Sequence, residues 1–302
     1  MSAKLYIGTS SWSEPKLIES GFYPEDVTNG DERLAFYAQR FNLSEVDSTY
    51  YAFTSRKKTE AWAGLTPGDF RFNVKGFALF TQHPARLSSI PKSFHEALPD
   101  DVRKKARVYH KDIPDEVLAD LWGIFRGTLR PLREAGKLGA VLIDFPPWFV
   151  PSKANREFLQ HLRERLPEER VAVEFRSPLW ASDDASVEST VALLRELDIG
   201  FVCVDEPPGL KTSFPPVAVA TSAIGYVRFR GRNAERWEDK SASIDERLDW
   251  WYTDEQLGEW LPRIESLRAE TEEVYLVFNT KMADQGVQIA SRMQDLLRIP
   301  SA

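Results

Sequence analysis

The chain has 302 residues, 42% of them hydrophobic, enough to bury one large core. Its 46 acidic residues outnumber 39 basic ones, and the net charge of −7 argues against a generally basic nucleic-acid surface while leaving room for a local basic cleft. The one cysteine, Cys203, rules out a disulfide within the chain and suits a reducing compartment.

Met1 to Ser10 has one lysine and no basic–apolar–small order, and no apolar run reaches the roughly 18–20 residues of a spanning helix. The expectation is a cytoplasmic protein with no membrane partner. Eight short runs rich in strand formers follow one another: Leu5–Thr9, Leu43–Asp47, Phe70–Lys75, Ala140–Phe145, Val171–Phe175, Gly200–Asp205, Gly225–Arg230 and Val274–Asn279. Helical periodicity separates most of them, over Asp31–Phe41, Arg56–Gly64, Pro114–Ala135, Lys153–Leu166, Ala185–Leu197 and Thr253–Ala269, and Ala283–Leu297 follows the last. Pro114 and Gly136 bracket the third of these with a start and a stop signal. Alternation of this kind implies a parallel sheet covered by helices, and eight units imply closure, so the predicted fold is a single α/β domain, a (β/α)8 TIM barrel, spanning 1–302. The sixth helix is degenerate, because Pro207, Pro208, Pro215 and Pro216 interrupt the segment Glu206–Ala223. Residues 81–112 read as an insertion after the third strand, which either covers the barrel mouth or packs at its periphery.

Strand alternation then places the charges. In Phe70–Lys75 the apolar Phe70, Phe72 and Val74 face the helices, which turns Arg71, Asn73 and Lys75 to the axis. The same parity turns Ala172, Glu174 and Arg176 inward, with Tyr226, Arg228 and Arg230 on the seventh strand and Asp144 on the fourth. Asp205 shares its face with Cys203, Asn279 with Tyr275 and Val277, and Glu45 with Asp47. These charges gather at the C-terminal strand ends, where barrels carry their active sites. Five acids (Glu45, Asp47, Asp144, Glu174 and Asp205) would meet five bases (Arg71, Lys75, Arg176, Arg228 and Arg230). Like carboxylates at strand spacing need a cation between them, supplied by Lys75, Arg176 or Arg228, or by a magnesium or manganese ion on Asp144, Glu174 and Asp205.

The loops add aromatic groups. Trp12, Trp148, Trp180 and Trp237 follow the first, fourth, fifth and seventh strands, placed either to stack on a ligand or to pack loops together. Arg228, Arg230 and Arg232 offer forks for an anionic group. Lys75, among acids, reads as a fixed positive charge rather than a Schiff-base amine. His83 is the one histidine near a strand end, and Cys203 reads as inert packing. No zinc-type spacing, Walker loop, nucleophile elbow or dinucleotide fingerprint appears.

Several stretches together resemble the domain-of-unknown-function 72 family, the YecE-like proteins. They are Ile7–Trp12, Gly21–Pro24, Glu45–Tyr51, Phe72–Lys75, Gly136–Gly139, Phe145–Phe149, Val173–Arg176, Tyr226–Arg232 and Val277–Asn279, in the expected order over nearly the whole chain. The resemblance implies a barrel fold and supplies no established activity; its charged motif positions fall on Glu45, Lys75, Glu174, Arg176 and Arg228. Two positions depart from the family pattern. Asp144 stands where glutamine is usual, and Asn279-Thr280-Lys281 where Asn-Asn-His is frequent, which puts a transferred acid–base scheme in question.

The leading functional expectation is an enzyme acting on an anionic small molecule, phosphorylated or carboxylated. Glu174 would be its general acid or base and Glu45 or Asp144 the partner carboxylate. Lys75 and Arg176 would stabilise developing negative charge. Arg228, Arg230, Asp205, Asn279, Trp12, Trp148 and Trp180 would bind the substrate. The alternatives are a nuclease or other nucleic-acid-processing enzyme, by fold analogy alone, and a non-catalytic ligand-binding barrel.

Overall fold

A computed structural model of the chain describes residues 3–298. Eight parallel strands close into a barrel: β1 (Lys4–Ser10), β2 (Leu43–Val46), β3 (Arg71–Lys75), β4 (Leu138–Asp144), β5 (Val171–Glu174), β6 (Ile199–Asp205), β7 (Ile224–Phe229) and β8 (Glu273–Phe278). Each strand pairs with its sequence neighbours, and β8 closes the ring on β1 through Lys4↔Glu273 to Thr9↔Phe278. Every expected strand is present, with ends that differ by at most two residues. This is the (β/α)8 barrel that the alternation implies.

The covering helices include Gly30–Tyr37, Arg56–Leu65, Asp115–Glu134, Lys153–Arg165, Asp184–Glu196 and Gln285–Arg298. Gly136, at φ 66°, ends the long third helix in the left-handed conformation that glycine tolerates. No helix is found between β6 and β7 among the described residues, where the four prolines stand. The continuous helix expected over Thr253–Ala269 is instead two, Asp254–Gly258 and Leu261–Glu270. Pro262 explains the break: it lacks the N–H that a continuous helix would need and sits in the first turn of the second piece. Between β3 and Asp115, residues 78–112 form short 3-10 turns and a two-stranded antiparallel ribbon, Ala85–Arg86 with Arg107–Val108.

Most barrels fill their axis with aliphatic layers. Here the axis is polar in tiers. Arg71 and Glu273 pair at the N-terminal end at 3.1 Å. Tyr6, Tyr275 and Tyr226 form the next tier, ring against ring. Above them come ion pairs up to the C-terminal mouth. The phenylalanine side chains of the strands pack outward, as Phe72 does against Trp62 and Phe229 against Trp260, while a few aliphatic residues, Leu142, Val202, Val204 and Val277, share the axial face with Lys75, Tyr226 and Arg228.

The junction of β1 and β2 depends on one phenol. Tyr37 accepts a hydrogen bond from the Thr9 N–H at 2.7 Å and donates one to the Leu43 carbonyl at 2.9 Å, bridging the strands from the helix side. Gly8 permits that approach, because a Cβ there would collide with the Leu43 carbonyl. Replacing Tyr37 by Phe leaves the buried Thr9 N–H and Leu43 carbonyl short of a partner, and is expected to cost about 1–3 kcal/mol. Denaturant unfolding checks this; a loss of less than a few tenths of a kcal/mol would count against the bridge.

Candidate active site

The centre of the mouth is Arg228 on β7, with 1% of its side chain exposed. Its Nη2 donates to Glu45 Oε1 at 2.6 Å and its Nη1 donates to Glu174 Oε2. Both carboxylates are fully buried. Glu45 also accepts from the Tyr226 hydroxyl at 2.5 Å, so β2, β5 and β7 are tied across the barrel. The two acids respond differently. Burial pushes the Glu45 pKa up, more than Arg228 pulls it down. At Glu174 burial is outweighed by Arg228, Arg176 and Arg230, and the carboxyl is held below its ordinary value.

The next tier lies nearer solvent. Arg176, just past β5, grips Asp144 with Nε at 2.8 Å and Nη2 at 2.7 Å, a two-point fork. Its Nε also lies 3.3 Å from Glu174, so it is the cation between the two adjacent acids of β4 and β5. Lys75 approaches Asp144 at 3.0 Å and lies 5.0 Å from the centre of the Tyr50 ring. Burial opposes ionisation of Asp144, but Arg176 and Lys75 together hold its pKa well below the carboxylate range. Asp47 sits between Lys75 at 3.8 Å and Lys281 at 3.6 Å, and Lys281 reaches Glu14 at 3.4 Å. On the other side, Arg230 Nη1 donates to Glu206 at 2.9 Å and to Glu174 at 3.2 Å. Glu206 accepts a second bond from the Phe214 N–H at 2.8 Å. Burial raises its pKa against the pull of Arg230 and Arg176.

The cluster therefore holds Glu45, Asp47, Asp144, Glu174 and Glu206 with Lys75, Arg176, Arg228, Arg230 and Lys281. Several expected members belong elsewhere. Asp205 faces outward: it pairs with Phe229 in register, on the helix side of the sheet. There it accepts two bonds from Arg232, at 2.8 and 2.6 Å, one from Tyr252 at 2.7 Å and one from Trp260 at 2.5 Å. The next residue, Glu206, takes the inward position. Strand β6 is apolar on both faces, so alternation alone did not decide its parity; register against Arg228, which pairs with Val204, does. Arg71 faces the axis, but at the opposite end of the barrel, with Glu273. Lys281 was legible only as a departure from a family motif.

Asp144, Glu174 and Asp205 consequently do not converge. Among the described residues no group of three His, Cys, Asp or Glu side chains is arranged to hold a metal ion, and the cations the acids need are arginine and lysine. Trp12 and Trp180 are not at the mouth either. Trp12 packs edge-on to Trp62 and Phe72, and Trp180 is stacked on Phe175 with its Nε1 donating to the Phe149 carbonyl. Indoles that follow strands closely are drawn into the apolar layer between sheet and helices, where their area is buried. Trp148 is 56% exposed and lies 5.7 Å from His83, whose pKa burial pushes down to about 4. Asn279 accepts from the Ser10 hydroxyl at the ends of β8 and β1. Cys203 is buried, its thiol pushed up to about 12 by burial.

Beside the ion pairs opens a cavity of about 610 Å³. Arg176, Glu206 and Arg230 line it, with Pro147, Trp237, Ile244 and Leu248 supplying apolar wall and Lys211, Lys240 and Arg247 further charge. Its cations, Arg176, Lys211, Arg230, Lys240 and Arg247, outnumber its acids, Glu206 and Glu238. The Nε atoms of Arg230 and Arg247 are buried without a hydrogen-bond partner. The wall comes from the segment that follows Gly231, whose φ of 88° and 2.8 Å clearance to Trp250 Cβ leave room for no side chain. Asp205 anchors that segment through Arg232 and Tyr252. The hollow of about 240 Å³ at the N-terminal end differs in charge. Its Arg71, Arg133 and Arg170 are each paired with Glu273, Glu168 or Glu169.

Fold and site together define a (β/α)8 barrel with an ion-paired mouth at the C-terminal strand ends. The chain belongs to the family described as protein of unknown function DUF72, whose family model matches residues 6–302. It is similar to the UPF0759 protein YunF of Bacillus subtilis (strain 168), at 26% identity over 98% of this chain and 95% of that protein. The UPF0759 protein YecE of Escherichia coli (strain K12) is 25% identical over 75% of this chain and 74% of its own. Among solved structures, a DUF72 family protein of Thermotoga maritima MSB8 superposes with a TM-score of 0.76 at 28% identity, over 98% of this chain and 100% of that one. A DUF72 family protein of Enterococcus faecalis V583 gives 0.77 at 22% identity, over 99% and 97%, and supports the fold alone.

Removing the central cation exposes what it balances. In Arg228→Met, Glu45 and Glu174 lose their shared partner while still buried, and stability is expected to fall by about 3–5 kcal/mol near neutral pH. Burial then acts on both acids and raises their folded pKa values. A raised folded value contributes stability below the ordinary carboxylate range that is lost as pH rises through it, so the variant's deficit should shrink on going from about pH 7.5 to about pH 5. Denaturant unfolding at both pH values is the measurement; a deficit independent of pH would mean that lost packing, not charge, is the cause.

Proposed function

We propose that the protein is an enzyme whose substrate is an anionic small molecule held in the cavity at the mouth of the barrel. The observation that carries this reading is the excess of cations over acids lining that cavity, in a chain of net charge −7. The reducing compartment implied by one buried thiol, and the absence of any described helix long and apolar enough to cross a membrane, are compatible with a cytoplasmic substrate.

In this reading Arg176 and Arg230 bind the anion through the terminal nitrogens that hold no carboxylate, Nη1 of Arg176 and Nη2 of Arg230, and Glu206 transfers the proton. Of the two carboxylates lining the cavity, Glu206 and Glu238, Glu206 is the one in contact with Arg230, and burial raises its pKa above the ordinary carboxylate value, the direction that favours a group able to hold and release a proton. Glu174 and Asp144 are held ionised by arginine and lysine, a state that fixes those cations rather than moving protons. Glu45, buried against Arg228 and Tyr226, belongs to the same support. Arg228 itself is spent on Glu45 and Glu174 and has no free fork for a ligand. Lys75 supplies positive charge beside Asp144.

A panel of phosphate esters and carboxylates, read for turnover, tests this. Glu206→Gln is expected to lower turnover about 10²–10⁴-fold while anion affinity changes only a few-fold. Turnover in Glu206→Gln equal to that of the wild type would remove Glu206 from the chemistry. An anion that binds and is recovered unchanged after long incubation would make this a binding protein instead.

A further inference from the structure

Building on the proposed anion site, we infer that its ligand carries the anionic group on a flat apolar body, an aryl or heteroaryl ring system, which lies against Trp237. Size is the first argument. A cavity of about 610 Å³ is many times the ~30 Å³ share of one water in the liquid, and a bare phosphate or carboxylate would leave most of it filled with solvent. That volume is in the range of about 300–1,000 Å³ that encloses whole organic ligands.

The distribution of side chains is the second argument. The cations and the carboxylate that would meet the anionic group, Arg176, Arg230 and Glu206, come from the ends of β5, β7 and β6. Most of the apolar wall, Trp237, Ile244 and Leu248, comes from the segment after β7, and Pro147 adds to it from the loop after β4. Ile244 is 64% exposed, an aliphatic side chain left in solvent at the edge of the cavity. The Arg230 guanidinium lies 5.4 Å from the centre of the Trp237 ring, so the anion's partner and the indole are directly adjacent. A ligand bound through Arg230 therefore has its next atoms beside Trp237, where a planar ring gains both apolar burial and ring–ring contact.

Isothermal titration of the whole protein with inorganic phosphate, 1-naphthyl phosphate and 1-naphthoate tests the inference. The better of the two naphthyl anions should bind about tenfold or more tighter than phosphate. Trp237→Ala should erase that advantage and leave phosphate affinity within about twofold, whereas Trp237→Phe should keep most of it. Ile244→Ser, at a largely exposed position, should reduce the advantage in part. If the naphthyl anions bind no better than phosphate, or their advantage survives in Trp237→Ala, the flat-body inference fails and the anion site stands. If none of the three binds, the anion site itself is refuted, and this inference with it.

Discussion

A single guanidinium organises the mouth of this barrel. Arg228 enters an almost solvent-free axis and is held there by Glu45 from β2 and Glu174 from β5. Taking such charges from water costs several kcal/mol per ion unless each is paired and hydrogen-bonded. The surrounding residues are explained by that requirement. Tyr226 supplies a hydroxyl to Glu45, Arg176 and Arg230 share the far oxygen of Glu174, and Asp144 then occupies Arg176. Each ion is in place because a neighbour neutralises it. The result is a rigid polar plug where other barrels place aliphatic layers.

The plug also divides labour. Buried acids held ionised by fixed cations are poor proton carriers but good scaffolding. Acids whose burial outweighs their partners are the reverse, and Glu206 combines that condition with a place on the cavity. Outside the barrel, Asp205 gathers Arg232, Tyr252 and Trp260 and thereby positions the segment that walls the cavity. Two adjacent acidic residues at the end of one strand thus serve opposite faces of the sheet, Glu206 toward the cavity and Asp205 toward the segment that walls it.

The site is partly legible in the sequence. Lys75, Glu174, Arg176, Arg228 and Arg230 fall on the axis because their strands alternate cleanly with phenylalanine and valine, and alternation in a half-apolar strand has one solution. It failed at β6, where Phe201, Val202, Cys203 and Val204 are apolar in both parities. Alternation does not order charges along the axis, so it groups Arg71 with residues at the other end. For the tryptophans, proximity to a strand end said nothing about which side of the sheet the indole would choose.

The sequence by itself determined that eight strands alternate with covering helices except after the sixth, where four prolines stand, and that acids and bases must share the barrel axis. Local spacing is sufficient for these, since each depends on residues only a few positions apart. Tertiary structure alone decided which acid meets which base, that Lys281 joins Asp47, and that Glu206 rather than Asp205 faces inward. Those outcomes depend on strand register and on closure of β8 against β1, contacts between residues up to 269 positions apart, and Coulomb energy follows distance in space rather than position along the chain.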